Sequence, residues 1–170
     1  VNMLDKDKIT ADVTKAKQLA DMVIVLPHWG TEYVYTPDSN QNYWTQLFLS
    51  LGVDVVIGTH PHVLEPVEVV SDTKGHEMLV YYSLGNFVSN QDQKPRMIGG
   101  MAKMTLVKDE TGCYVKNYNL TPVITQKLFG KKAITTYKLS DYTESLASGN
   151  AIRNDSGCSD FSLSYCQTLV

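Results

Sequence analysis

The stretch VIGTHPHVLEP, residues 56–66, joins an apolar run to two histidines that are one residue apart. The run begins at Val53, and its β-branched residues are typical of a strand that is buried on both faces. His60 and His62 follow the carboxyl end of this strand, where open α/β sheets carry their sites. Side chains two residues apart in an extended segment point to the same side, so we expect both imidazoles to face one point.

The segments that precede this stretch predict a parallel βαβ unit. Residues 8–20 have apolar side chains at helical spacing, and MVIVLPH, residues 22–28, is typical of a buried strand. A second helix is predicted over residues 39–51, with Asp38 or Ser39 as its N-cap. A strand, a helix and a second strand in this order favour two parallel neighbouring strands.

The segments that follow predict antiparallel hairpins. The turn-forming sequences DTKG, residues 72–75, and DETG, residues 109–112, separate strand-like runs. These runs span residues 65–71, 76–88, 99–108 and 113–123. The predicted fold class is therefore α/β, with a βαβ unit followed by antiparallel hairpins in a sheet of mixed direction.

The composition is that of a globular domain. The chain has 170 residues, 43% of them hydrophobic and 19% charged, which is enough for one domain with a core. The formal net charge is -3 and the sequence has no long basic block, so we expect no nucleic-acid partner. The apolar runs are far shorter than the roughly 20 residues of a membrane-spanning helix.

The C-terminal sequence differs from the rest. From Ser140 onward it is rich in Ser, Asn, Asp and Gly, which predicts a short helix near Glu144 and otherwise loop or mobile chain. Cys158 and Cys166 can close a small loop as a disulfide, or remain free thiols. The odd total of three cysteines favours free thiols.

A third histidine has the same position relative to its strand. His28 ends the first predicted strand and opens the sequence HWGTEY, residues 28–33. If the two strands are parallel neighbours, His28, His60 and His62 meet at one edge of the sheet. Neutral imidazole is a common ligand for zinc, manganese and iron. The alternative for each histidine is a surface or hydrogen-bonded residue, which is the favoured interpretation for His76 after its turn.

Other side chains near these strand ends can take part in chemistry. The carboxylate of Glu32 can orient a histidine or donate a proton, although a solvated loop glutamate is the alternative. Asn86, in YSLGNF (residues 82–87), can hydrogen-bond a ligand or the neighbouring loops, whereas Phe87 is expected in the core. The predicted site comprises His28, Glu32 and His62 as catalytic residues, Trp29 and Asn86 as substrate contacts, and His28, His60 and His62 as metal ligands.

Four stretches in this order resemble the CapA family of bacterial capsule-synthesis proteins, which act in poly-γ-glutamate capsule biosynthesis. They are VIVLPHWGTEY, YTPDSNQ, GVDVVIGTHPHVLEPVEVV and LVYYSLGNFV. The resemblance covers residues 5–125, and the order and spacing of HWGTEY, GTHPH and YSLGNF make it specific.

The CapA family is similar to calcineurin-like metallophosphoesterases, so the resemblance implies part of an αββα sandwich with a metal site. In such enzymes two metals activate a bridging water, which attacks the phosphorus of a phosphoester. The resemblance implies Mn, Zn or Fe bound by His28 and by the His60–His62 pair, one of which could instead contact the substrate. The family's earlier aspartate and asparagine–histidine motifs have no counterpart here. Residues 1–130 are therefore interpreted as the C-terminal part of a CapA-like domain, and residues 131–170 as a polar extension.

Two functions follow from the resemblance. In the first, the parent protein is a surface metallohydrolase of capsule assembly, and this incomplete set of ligands binds metal weakly or not at all and has little or no phosphoesterase activity. In the second, the fold is a non-catalytic scaffold that handles an anionic polymer or partner proteins during export.

The expected partners are an anionic polymer or phosphoester substrate, capsule-synthesis membrane proteins, and a second copy paired through an exposed sheet edge. The expected location is the bacterial cell surface, with tethering to the outer face of the membrane through a segment outside this sequence.

Overall fold

The computed structural model describes residues 3–128 and 133–170. The predicted boundary between residues 130 and 131 lies outside the described residues. The α-helices in the described ranges are α1 (Lys6–Leu19), α2 (Ser39–Ser50), α3 (Glu144–Ser148) and α4 (Leu163–Thr168), and short 3-10 helices span Lys94–Met97, Leu139–Asp141 and Ala151–Asn154. The strands are β1 (Ile24–Val25), β2 (Val55–Ile57), β3 (Val67–Ser71), β4 (Glu77–Tyr81), β5 (Ile98–Asp109), β6 (Gly112–Leu128) and β7 (Ala133–Lys138).

The first sheet contains the predicted βαβ unit. Its strand order is β1-β2-β4-β3, with β1, β2 and β4 parallel and β3 antiparallel to β4. Helix α2 connects β1 to β2 and packs Trp44 and Phe48 against Val56 in the core. Burial on both faces explains why the sequence of β2 is a continuous apolar run rather than an alternating one.

Helix α2 begins and ends near the residues that the sequence predicted. The Asp38 side chain accepts a hydrogen bond from the Gln41 backbone N–H at 2.8 Å, and Gln41 Oε1 accepts one from the Asp38 N–H at 3.0 Å. These two reciprocal bonds form a capping box. Gly52, with φ 76°, follows the last turn in the left-handed conformation that favours glycine.

The second sheet is antiparallel in the order β5-β6-β7 and covers the first sheet. Tyr81 of β4 packs with Met104 and Leu120 of the second sheet, and its hydroxyl donates to the Asn119 carbonyl at 3.0 Å. The helices α1 and α2, the first sheet and the second sheet thus form successive layers. The α/β class is confirmed, and the layers are consistent with part of a metallophosphoesterase-like fold. The sequence had not predicted β7.

The C-terminal segment is folded, so the prediction of loop or mobile chain is wrong there. Its spaced apolar residues form a core with the start of β5 and with β6. These residues are Tyr142, Ala147, Ile152, Cys158, Phe161 and Cys166, each at most 3% exposed. The polar composition between them had concealed this spacing, because sparse apolar residues can still fill one core.

The two cysteines of this segment are core residues. Cys158 and Cys166 are both free and buried, which matches the free-thiol alternative. Burial raises the pKa of the Cys166 thiol to about 12, so this thiol stays protonated and unreactive at neutral pH. Among the described helices, none combines the length and the apolar character needed to cross a membrane.

We expect Phe161→Ala to reduce the free energy of unfolding by about 3–5 kcal/mol, because it leaves a cavity in a closed core. Phe161 is 0% exposed, whereas Phe87, which the sequence had placed in the core, is 54% exposed. Phe87→Ala is therefore the matched control and should change stability by no more than about 0.5 kcal/mol. Urea denaturation followed by circular dichroism measures both. Equal stability losses would mean that the C-terminal segment does not pack as described.

Candidate metal centre

The loops that follow β1 and β2 are held side by side by backbone hydrogen bonds. His28 and Thr59 form a parallel bridge beyond the ends of the two strands. The Trp29 N–H donates to the Thr59 carbonyl at 3.0 Å, and the Thr59 N–H donates to the Pro27 carbonyl at 3.1 Å. The parallel pairing therefore continues into both loops and places His28 beside the residue that follows Thr59.

The three predicted histidines are neighbours. The ring centroids of His28 and His60 are 4.5 Å apart, and those of His60 and His62 are 6.0 Å apart. The sheet edge thus brings the three imidazoles together, as the parallel arrangement of β1 and β2 predicted. Their roles as ligands or catalysts remain predictions.

The geometric reason given for the His60–His62 pair is wrong. The segment is not extended, because His60 has φ 112° and His62 has φ 61°. Residues other than glycine rarely adopt positive φ, and each such residue costs on the order of 1–3 kcal/mol. The pair converges through a strained turn. Strain of this kind persists only where surrounding contacts impose it, and such residues cluster at functional sites.

The tightest set of donor atoms contains Glu32 rather than His28. One ligand atom from each of Glu32, His60 and His62 lies within 4.8 Å of the others. Glu32 Oε1 is 3.6 Å from His62 Nε2, and the Glu32 side chain is 46% exposed. Two nitrogen or oxygen ligands about 2.1 Å from a tetrahedral zinc ion lie about 3.4 Å apart, so binding requires the donor atoms to close by up to about 1.4 Å. The exposed Glu32 side chain has the freedom to provide it.

This donor set fits a divalent first-row metal. Two imidazoles and one carboxylate are donors that suit zinc, manganese or iron. His28 contacts the His60 ring at the border of the set and is the nearest additional imidazole. The side chain of Glu32, first considered for catalysis, therefore becomes a candidate ligand as well.

Asn86 determines which nitrogen of His62 faces the other donors. The Asn86 Nδ2 group donates to the Arg96 carbonyl at 3.0 Å, so its Oδ1 must be the acceptor in the 2.9 Å contact with His62 Nδ1. His62 Nδ1 then carries a proton, so in the neutral imidazole Nε2 is the unprotonated nitrogen, and it is this nitrogen that faces Glu32. An outer partner that fixes a tautomer in this way is typical of metal-binding histidines. The predicted contact of Asn86 with a substrate remains untested.

Trp29 lies beneath the site rather than in it. Its side chain is 2% exposed, and its indole N–H donates to the Tyr82 carbonyl at 2.9 Å. Gly58 allows this close approach, since a Cβ there would lie 2.1 Å from the Tyr82 oxygen. Trp29 is therefore packed in the core beneath the site, and its contact with a substrate stays a prediction.

A polar network that the sequence did not reveal, buried at Gln41 and Glu65 and exposed at Thr31, supports the loop that carries Glu32. The Thr31 hydroxyl donates to Asp38 at 2.7 Å, and the Gln41 side-chain amide donates to Glu65 at 2.6 Å. Gly30, with φ 84°, packs directly on the Gln41 amide, and a Cβ there would be 2.7 Å from that group. The capping-box glutamine at the start of α2 was the available signal, because such a residue can also bond outside its helix.

Glu65 is the least satisfied member of this network. Its residue is 6% exposed, and its Oε1 atom has no hydrogen-bond partner within the described ranges. Burial raises the pKa of the Glu65 carboxyl to about 7, and the charge of Asp38 adds to the rise while the bond from Gln41 opposes it. The carboxyl is therefore partly protonated near neutral pH.

Comparisons with known proteins agree on one family. Residues 1–91 match the family described as bacterial capsule synthesis protein PGA_cap. The chain is 36% identical over 111 residues to the PGA biosynthesis protein CapA of Bacillus subtilis (strain 168), covering 65% of this chain and 27% of that protein. It is 35% identical over 92 residues to the capsule biosynthesis protein CapA of Bacillus anthracis, covering 52% and 21%. The chain thus spans about a quarter of the length of these curated relatives.

We expect the purified chain to bind one Mn²⁺ or Zn²⁺ ion, and His60→Ala to abolish that binding in isothermal titration calorimetry. Asn86→Ala should weaken binding by about 10–100-fold, because His62 loses the acceptor that orients it. His76→Gln is the matched control, since His76 bonds the Val53 carbonyl outside the set. Equal affinities of His60→Ala and His76→Gln would exclude this set as the binding site.

We expect the free energy of unfolding to fall as the pH rises from 4.5 to about 7, by up to about 3 kcal/mol relative to Glu65→Gln. Between these two pKa values the folded chain binds more protons at Glu65 than the unfolded chain, so stability is highest below the unfolded value. Glu65→Gln stays neutral throughout and cancels the contribution of other titrating groups. Denaturation curves at several pH values measure the difference, and parallel pH profiles for the two proteins would contradict it.

Proposed function

Because the chain belongs to the bacterial capsule synthesis protein family PGA_cap, we propose that it acts in capsule biosynthesis through a metal-dependent hydrolytic site for a phosphoester. The names of the two relatives, both called CapA, support the capsule role. The hydrolytic role is carried by one observation, the convergence of Glu32, His60 and His62 at the ends of parallel strands.

Each residue of the site has a distinct proposed role. Glu32, His60 and His62 hold the metal, and Asn86 keeps the Nε2 lone pair of His62 directed at it. A bound divalent ion polarises a phosphoryl oxygen and lowers the pKa of a coordinated water. His28, exposed at the border and in contact with the His60 ring, is placed to accept or donate a proton.

A non-catalytic scaffold is the second candidate. Two-metal phosphoesterases hold a pair of ions about 3.5–4 Å apart, which requires several carboxylate or bridging ligands. The donor set in the described part of the chain contains one carboxylate, Glu32. A site of this composition favours little turnover by the chain alone, and a role in holding an anionic polymer during export needs no turnover.

The proposed partners follow from the same family. They are an anionic polymer such as poly-γ-glutamate or a phosphoester substrate, the membrane proteins of capsule synthesis, and a second copy of the chain at the bacterial cell surface. Pairing of two copies is supported by the edge position of β1, since Ile24 in this strand is 41% exposed and Leu26, directly after it, is 72% exposed. Exposed apolar residues at a sheet edge favour association with another chain.

The test of the proposed function is made in bacteria that produce the capsule with the gene for this protein. We expect His60→Ala and Glu32→Gln to reduce capsule polymer to background, because both remove a metal ligand. His76→Gln should leave the amount of polymer unchanged, since His76 lies outside the donor set. Immunoblots must show equal protein levels for the three variants.

Normal capsule from His60→Ala, at normal protein level, would contradict the metal-dependent role and favour the scaffold. Loss of capsule with His76→Gln as well would mean that the effect arises from folding, and the proposal would lose its support.

A further inference from the structure

Arg96 lies beside the candidate metal centre with its guanidinium stacked on an aromatic ring. Its guanidinium carbon is 3.6 Å from the ring centroid of Tyr33. The other ring neighbour of Tyr33 is the imidazole of His62, at 5.9 Å between centroids with an interplanar angle of 27°. One phenol ring therefore separates a fixed positive charge from a candidate metal ligand.

Both sides of this stack are anchored to the site. The Tyr33 N–H donates to the Pro61 carbonyl at 2.7 Å, and Tyr33 adopts φ 67°, which places its ring beside His62. The carbonyl of Arg96 accepts from the same Asn86 side chain that contacts His62. The same Asn86 amide therefore holds the backbone of Arg96 and the imidazole of His62, while the guanidinium is held by its stack on Tyr33.

The stacked guanidinium retains free donors. Stacking uses the flat face of the guanidinium and leaves the N–H groups around its edge available as donors, and the Arg96 side chain is 23% exposed. In the described part of the chain its side-chain partner is Asp92, at 3.4 Å, and Asp92 is 71% exposed. An exposed pair at that distance contributes little. The neighbouring Lys94, by contrast, bonds Asp160 at 2.6 Å and is already neutralised.

We propose that Arg96 binds an oxyanion of the substrate, a phosphoryl or carboxylate group, next to the metal centre. Two parallel N–H donors of a guanidinium match two oxygens of either group, and stacked arginines are well suited to such recognition. The inference rests on the proposed function, because the charge of Glu32 repels an anion until a divalent ion neutralises it. The phosphoryl group would come from a phosphoester, and the carboxylate from the polymer.

Calorimetric titration of the purified chain, with and without Mn²⁺, tests the proposal with two probes. Methylphosphonate represents the phosphoryl source, and a γ-linked glutamate trimer represents the polymer; the tighter binder identifies the source. Arg96→Gln should weaken the affinity for the bound probe at least about tenfold. Arg96→Lys should lose less affinity, because it keeps the positive charge but not the two parallel N–H donors. Lys116→Gln removes the same charge from an exposed position on β6 and should bind normally. Ionic strength is held constant, since it screens exposed charges.

The outcomes separate this inference from the proposed function. Binding by Arg96→Gln equal to that of the unmodified chain, or no binding of either probe by the unmodified chain, would overturn the role of Arg96. If His60→Ala abolishes probe binding while Arg96→Gln does not, the metal site stands and the inference fails. If Arg96 is required but neither Mn²⁺ nor His60→Ala has an effect, the oxyanion site stands and the metal-dependent function fails. Circular dichroism of each variant confirms that it is folded.

Discussion

The parallel pairing of β1 with β2, extended by the bridge between His28 and Thr59, is the constraint on which the site depends. Two short strands bury little apolar surface, but their backbone hydrogen bonds fix the relative positions of the two loops that follow them. The strained conformations of His60 and His62 can persist because contacts beneath the loops hold them in place. Gln41 packs against Gly30, and the Trp29 indole bonds the Tyr82 carbonyl. Local strain at the sheet edge is thus balanced by burial in the layer beneath it.

The order of elements in the first half of the chain could be predicted because each signal was local. Apolar runs identified β1 and β2, and Asp38 marked the start of α2. The C-terminal core could not be predicted in the same way. Its apolar residues are separated by polar turns, and their burial against β5 and β6 depends on contacts between segments that are distant in sequence.

The position of the site was predictable to the level of the sheet edge, since residues after parallel strands meet there. The detailed roles were not. Whether Trp29 or Phe87 is buried depends on tertiary packing, and an aromatic residue in a loop carries no local sign of its direction. Glu65 and Arg96 were missed because a single charged residue has meaning only beside its partners, which are Gln41 for the first and Tyr33 for the second.

Asn86 connects two parts of the site through one planar group. Its oxygen contacts the imidazole of His62, while its nitrogen is bonded to the carbonyl of Arg96. This amide therefore links the loop that carries His62 to the backbone of Arg96, and the stack on Tyr33 holds the guanidinium on the same face. A molecule that contacts both the donor set and the guanidinium must carry two polar groups far enough apart to reach both, so this face would discriminate between ligands by size as well as by charge.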